Sequence, residues 1–363
     1  MTIGSERRAA SAGGGSGSVP PAGRPGIKPV TPWARVASWP AARALVAVVV
    51  LFAISPLIAP GSVSATAMSS MLPFAALTAV VAVGQTLVIM QGGLDLSVAG
   101  AITLGALIVA KFGGPDQLGI GLAIVVALVV PALFGLLSGL VIALFGLPPL
   151  VVTIASNALM VGTVQAVSGG YGGQVVDSLS QFSLSRWLGI PVLAIIATIV
   201  VLVVHALLKA VRVGRRFELV GANPRAARSI GLSPTGYVVG AYTLSALLAA
   251  TCGVLLAGLL RSPTLTAGDA YLLPSIAAVV LGGTALTGGK GSVIGTALGA
   301  LFLGQLGQLV QTFTQTTAAQ NIIQAVIIAV GIVVQIKLGG NTARLRGLVS
   351  RKPSRTTTAL NEE

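Results

Sequence analysis

Three stretches of the chain hold the residue types that chemistry needs. Gly288-Gly289-Lys290-Gly291-Ser292 invites comparison with a loop that cradles phosphates. The match fails, because Thr284 stands where the first glycine belongs and Gly291 where a Ser or Thr should follow the lysine. No other stretch offers such a loop, so the chain is not expected to hydrolyse ATP itself. The glycines of Val279–Gly304 suit a tight turn between two apolar runs. The second stretch is GGLDLSVAG, Gly92 to Gly100. Its glycines break one helix, and Asp95 is then placed to cap the next by accepting from the N–H groups near Ser97 and Val98. A carboxylate at a bilayer centre costs about 2.5–3.5 kcal/mol or more. Asp95 therefore reads either as a gate or pathway element or as a cap organising a helix break. The third stretch, Lys209 to Thr235, carries six basic residues against one acid, Glu218. Within it Asn223 predicts an N-cap, Pro224 fits the first helical position, and Gly231 suits a left-handed stop. The enclosed helix, roughly seven residues, is too short to persist alone in water and needs a surface to dock on. Otherwise this is an ordinary basic loop between membrane helices. Cys252, the single cysteine, excludes an intramolecular disulfide. His205 closes an apolar run and suits helix-end packing.

The elements that position these stretches follow from composition. Hydrophobic residues make up 54% of the 363 and charged residues 8%, with a mean hydropathy of +0.95. Soluble domains carry about 25% charged residues. The pattern predicts an all-α polytopic membrane protein with about ten transmembrane helices and both termini cytoplasmic. The spans run near 41–59, 67–90, 94–111, 119–144, 147–168, 189–208, 236–260, 272–287, 291–312 and 319–338, forming a transmembrane domain over 41–338. Residues 272–287 are short and rich in Gly and Thr, as a re-entrant or broken element would be. Residues 1–40 predict a disordered cytoplasmic tail, and 339–363 a basic cytoplasmic one. The net charge of +14 does not point to nucleic acid, because basic residues sit between and beyond the apolar runs. In this arrangement 19 of the 22 basic residues lie inside, and only Lys111, Arg186 and Arg261 outside. Gly135-x-x-x-Gly139 and Gly295-x-x-x-Gly299 predict close helix contacts.

Taken together and in this order, GGLDLSVAG, GANPRAARSIGL and VVLGGTALTGGKGSVIGT resemble the permease subunits of ATP-binding-cassette importers for simple sugars, the ribose/xylose/galactose type. The resemblance runs from about 41 to 338. It implies an all-helical permease in a bacterial inner membrane, working as a pair with a second permease copy, whether homodimer or paralogue. It also implies a cytoplasmic ATPase that uses the ATP, no cofactor in this chain, and an external substrate-binding protein. The central loop 209–235 would dock on the ATPase, which assigns coupling to Gly221, Asn223, Pro224, Arg225, Ala226, Ala227, Arg228 and Gly231. The related permeases for branched-chain amino acids, or for autoinducer-type sugar derivatives, are the nearest alternatives.

An ion-coupled secondary transporter is the competing class. It needs ionisable groups along its path, and spans four, five, seven, nine and ten hold none in their interiors. The neutral amides Gln85, Asn157 and Gln305, with Asp95, are the candidate pathway or gate residues. Gln165, Gln308, Asn321 and Gln324 are the other amides available. They suit passing contact with a polyhydroxyl solute, and equally suit helix–helix bonding. Arg186 and Arg261 are candidate contacts for the acidic residues of a binding protein. A non-transporting scaffold has only the absence of catalytic residues in its favour.

Overall fold

The computed structural model describes residues 40–313 and the isolated positions 316, 322, 325, 326 and 329. Most of the tenth span at 319–338, including Asn321 and Gln324, and all of residues 1–39 and 339–363 lie outside the described residues. Within them the chain forms α1 (Pro40–Ile58), α2 (Ala65–Met90), α3 (Val98–Phe112), α4 (Gly119–Phe145), α5 (Pro149–Ser168) and α6 (Asp177–Leu184). A two-stranded hairpin follows, β1 (Arg186–Trp187) and β2 (Ile190–Pro191). Then come α7 (Val192–Ala210), α8 (Arg212–Ala222), α9 (Pro224–Ser229), α10 (Pro234–Leu260), α11 (Asp269–Leu281) and α12 (Val293–Gln311). Seven of these helices (α1, α2, α4, α5, α7, α10 and α12) are long and apolar enough to cross a membrane. The protein is multi-pass.

The packing of α4 inverts the soluble pattern. On α4 the inward positions are Ala123, Ala127, Pro131, Gly135, Ser138 and Gly139. The outward ones include Leu122, Val125, Val129, Leu133 and Leu137. In lipid, large apolar side chains gain nothing by turning inward, and small ones let backbones approach. A methyl group on Gly135 would sit 2.6 Å from the Tyr242 carbonyl, and one on Gly299 would sit 2.3 Å from the Ala278 carbonyl. Both small-residue pairs named above thus mark real helix contacts. The central element is α10, which packs against α2, α3, α4 and α6. It and α2 are the long helices most enclosed by protein.

Two helices fall short of a span. At 1.5 Å per residue, α3 is about 22 Å long and α11 about 20 Å, against a hydrocarbon core of about 30 Å. Their N-terminal ends meet inside the bundle. Gly268, which precedes α11, donates its N–H to Thr103 Oγ1 of α3 at 3.0 Å. A methyl group on Gly268 would lie 2.0 Å from the Ala99 carbonyl in the first turn of α3. Residues 261–268 therefore return into the bundle before α11 begins. The expected 94–111 and 272–287 spans are thus half-helices, and 284–287 belong to the turn that follows α11.

Candidate functional site

The break between α2 and α3 is built around Asp95, which is fully buried. Its Oδ1 accepts from the Ser97 N–H at 2.9 Å and from Ser97 Oγ at 2.5 Å. Its Oδ2 accepts from Ser245 Oγ of α10 at 2.8 Å. Gln85 serves the backbone of the same residue: its Nε2 donates to the Asp95 carbonyl at 2.5 Å, and its Oε1 accepts the Asp95 N–H at 3.4 Å. Asn157 of α5 accepts the Gly100 N–H at 2.8 Å, in the first turn of α3. A broken helix frees backbone groups that hydrocarbon cannot satisfy, and these three side chains satisfy them. Asp95, Gln85 and Asn157 therefore hold one structure, the open end of α3.

The three stretches distinguished by sequence converge at one end of the bundle. The carbonyl of Met90, the last residue of α2, accepts the Gly289 N–H at 2.8 Å. Gly221, near the end of α8, lies so close that a Cβ there would be 1.9 Å from the same carbonyl. Gln91 Nε2 donates to the Phe217 carbonyl of α8 at 3.0 Å. Gly288 and Gly289 take φ of +87° and +86°, the left-handed region that an L side chain rarely adopts. The 288–291 turn thus fits as a plug between α2 and α8 and has the geometry of a tight turn.

The basic stretch forms two helices, although its punctuation predicts only one. α8 buries Gly214, Phe217, Val220 and Gly221 and exposes Arg212, Arg215 and Arg216. It is an amphipathic helix folded back on α7, with Lys209 and Glu218 paired at 2.5 Å. The Phe217 ring stands edge-on to Tyr237 at 6.3 Å. The alternation of arginines with Phe217 and Val220 was the available signal for α8. The six-residue α9 has the expected punctuation. Asn223 Oδ1 accepts from the Arg225 and Ala226 N–H groups, both at 3.1 Å. At the other end Leu232 N–H bonds the Ala227 carbonyl and Gly231 N–H the Arg228 carbonyl, both at 3.0 Å, around a left-handed Gly231. This is a complete Schellman stop. Ala227 faces inward and is buried, whereas Arg225, Ala226, Arg228 and Ile230 are exposed. The outward face of α9 is thus Arg225, Ala226, Ser229 and Ile230, and Ala227 seats the helix.

At the opposite end of the bundle a groove of about 510 Å³ opens between α2, α11 and α12. Its polar lining is Ser70, Thr78, Tyr271, Gln308 and Gln311. The start of α11 contributes Ala270 and Tyr271 to its lining. Gln305 is fully buried, three residues deeper along α12 than Gln308, and its amide has no hydrogen-bond partner among the described residues. The sequence singles out Gln305 but not the groove, because Ser70 and Tyr271 carry no helical signature that separates a lining residue from a packed one. Gln308, one turn from Gln305, was the accessible hint.

Arg186 and Arg261 are both exposed at this end. The Arg261 carbonyl accepts the Val175 N–H at 2.9 Å, tying its loop to the segment before α6. Lys111 is engaged by the Val167 carbonyl. Among the described residues no group of His, Cys, Asp and Glu could hold a metal ion.

Comparison with known proteins gives a consistent picture. The family described as branched-chain amino acid transport system / permease component matches residues 67–332. The ribose import permease protein RbsC of Escherichia coli (strain K12) is 32% identical over 300 residues, covering 81% of this chain and 93% of that one. The autoinducer 2 import system permease protein LsrD of Yersinia enterocolitica is 33% identical over 265 residues, 69% of this chain and 79% of that one. The fructose import permease protein FruF of Bifidobacterium longum is 31% identical over 278 residues, 74% and 78%. No solved structure matches the chain.

Proposed function

Because the chain belongs to the branched-chain amino acid transport system permease family, we propose that it is the membrane-spanning subunit of an ATP-driven importer for a simple sugar. It sits in a bacterial inner membrane. Relatives named for ribose and fructose import favour a sugar over an amino acid, and the relative named for autoinducer 2 import keeps a sugar derivative as the second reading. The partners are a cytoplasmic ATPase, an external binding protein and a second permease copy. ATP is used by the partner, so this chain is a transport subunit and not an enzyme. Ten spans with both termini inside remain the topology best supported by charge: seven long helices, the half-helices α3 and α11, and the 319–338 run.

The observation that carries this reading is the junction at Met90. One backbone carbonyl receives the 288–291 turn and abuts Gly221, so three segments that belong to different spans share a single contact. The exposed face of α9 lies on the same structure. A displacement imposed on α9 by an ATPase reaches α2 through Gly221 and Gln91, and the α11–α12 pair through Gly289. Arg225 and Arg228 supply charge at the edge of the docking face, and Ala226 and Ile230 its apolar centre. Asn223, Pro224 and Gly231 shape the helix, and Ala227 holds it to the bundle.

The groove at the other end is the outer part of the path. Small-molecule sites enclose about 300–1,000 Å³, and this one offers hydroxyl and amide groups to a polyhydroxyl solute. Gln305 is the next polar group along α12, and it gains a partner when solute moves inward. Asp95, Gln85 and Asn157 act as positioning groups that keep the half-helix α3 in place. Arg186 and Arg261 form the charged rim for a binding protein, where such charges tune on-rate and salt dependence. Uptake into vesicles tests the whole reading: sugar accumulation should require ATP and the ATPase subunit and should survive collapse of ion gradients. Accumulation driven by an ion gradient without ATPase would overturn it.

A further inference from the structure

The hairpin that leads into α7 has a composition that an aqueous loop does not explain. Its turn is Leu188-Gly189, with φ of 52° and 80°. A two-residue turn with both residues at positive φ selects Asn, Asp or Gly. Leucine is strained there, and strain of this kind points to a function. Leu188 is also 84% exposed, so the position disfavours it twice, and Trp187 and Ile190 beside it are 65% and 50% exposed.

The register sorts these residues by face. Trp187 pairs with Ile190, and Arg186 with Pro191. Residues directly opposite in an antiparallel pair share a face. One face is therefore Trp187 and Ile190, with Leu188 at the tip. The other holds Pro191, buried towards the bundle, and Arg186. The depth of the hairpin follows from α7. Nineteen residues give about 28 Å, nearly the full hydrocarbon thickness of about 30 Å. Val192, its first residue, then stands at the edge of the hydrocarbon, and the hairpin lies in the interfacial layer where Trp and Arg are favoured. The exposed side of α7 is Ile199, Leu202, Val203 and Leu207, a lipid-facing surface.

We propose that the hairpin 186–191 is an interfacial anchor, its Trp187–Leu188–Ile190 face lying at the boundary between lipid headgroups and acyl chains. There Leu188 is removed from water, which offsets its backbone strain. The anchor fixes the depth at which α7 sits, and Arg186 stays on the water side.

Trp187 can report its own depth. Replacing Trp33 and Trp39 by Phe leaves it the only tryptophan of the full chain. The protein is reconstituted in phosphatidylcholine–phosphatidylglycerol vesicles carrying bromine either near the headgroup or near the chain terminus. Shallow bromine should quench Trp187 at least about twofold more than deep bromine, and aqueous iodide should quench it weakly. Leu188→Asp should shift quenching from lipid to iodide without lowering the melting temperature. Strong iodide quenching with no lipid quenching would place the face in water, ready for a protein partner, and overturn the proposal. Protection from every quencher would place it under another protein surface, and stronger quenching by deep bromine would place it in the hydrocarbon core. Either result would overturn the proposal as well.

Discussion

Ser245 donates to Asp95 at 2.8 Å across a sequence separation of 150 residues. The bond joins the break after α2 to the central helix α10. It also fixes what Asp95 does, since both carboxylate oxygens are engaged by neutral donors of the protein. The carboxyl group is held in place by the helix break that it organises.

Asp95→Asn keeps an oxygen for Ser97 and should leave a folded permease with most of its uptake. Asp95→Ala strands the Ser97 N–H and the Ser245 hydroxyl and should cost about 1–3 kcal/mol, seen as a lower melting temperature in detergent. Loss of uptake in Asp95→Asn at unchanged melting temperature would instead assign the residue an ionic role in the path.

Gly221→Val should separate folding from coupling at the Met90 junction. Its side chain meets the Met90 carbonyl and must push α8 away from α2. Overpacking of this kind costs about 1–3 kcal/mol. ATPase retention is expected to survive, because the α9 face is untouched, while ATP-dependent uptake falls. Normal uptake would show that the junction transmits nothing.

On α9, burial decides which substitutions are informative. Ile230→Glu and Arg225→Glu lie on the exposed face and should change stability by no more than about 0.5 kcal/mol, yet abolish co-purification with the ATPase. Asn223→Ala should cost the helix about 1 kcal/mol. Ala227→Glu would force a charge into the buried side and unseat α9, so its failure would say little about docking. Full ATPase retention in Ile230→Glu with Arg225→Glu would rule out α9 as the docking helix.

Gly307→Leu should partly fill the groove between α2, α11 and α12. Uptake should drop while ATPase binding and the melting temperature hold. Ser70→Cys, modified by a membrane-impermeant thiol reagent added outside, should block uptake in the same way. Cys252 is buried and should not contribute to labelling. Unchanged uptake in both would move the path elsewhere.

Topology is tested by Ser178→Cys and Ser229→Cys, both at exposed positions. They should react from opposite sides of the membrane. Reaction from the same side would break the ten-span arrangement.

Much of this arrangement was legible in the sequence, for physical reasons that differ by element. The long spans follow from hydropathy, because lipid admits no other backbone over that length. The α9 caps were legible because Asn223, Pro224 and Gly231 act on their own neighbours. The break at Gly92-Gly93 and the irregularity of 272–287 were visible as glycine and polar residues within apolar runs. Long-range contacts were not. Nothing near Ser245 distinguishes it from other inward serines, and nothing near Met90 says that its carbonyl will receive Gly289. The inward turn of Ala227 depends on how α9 lies against α8 and α10, which six residues cannot specify. The role of Gln85 was ambiguous because a buried amide serves a path or a backbone equally well, and only the position of the Asp95 peptide decides.

The meeting of α3 and α11 inside the bundle has a consequence for how the protein is made. When α3 leaves the ribosome, the helix that supplies Ser245 and the segment that brings Gly268 to Thr103 have not yet been synthesised. For that interval the nascent membrane domain carries a carboxylate and the open end of a half-helix with only Gln85, Ser97 and, somewhat later, Asn157 to shield them. Synthesis is thus least protected in its middle third, and quality control has a defined lesion to recognise. A chain ending after Gly231 should be cleared by membrane proteases in pulse-chase faster than one ending after Leu260. Equal lifetimes would mean that α10 does not complete the protection of α3.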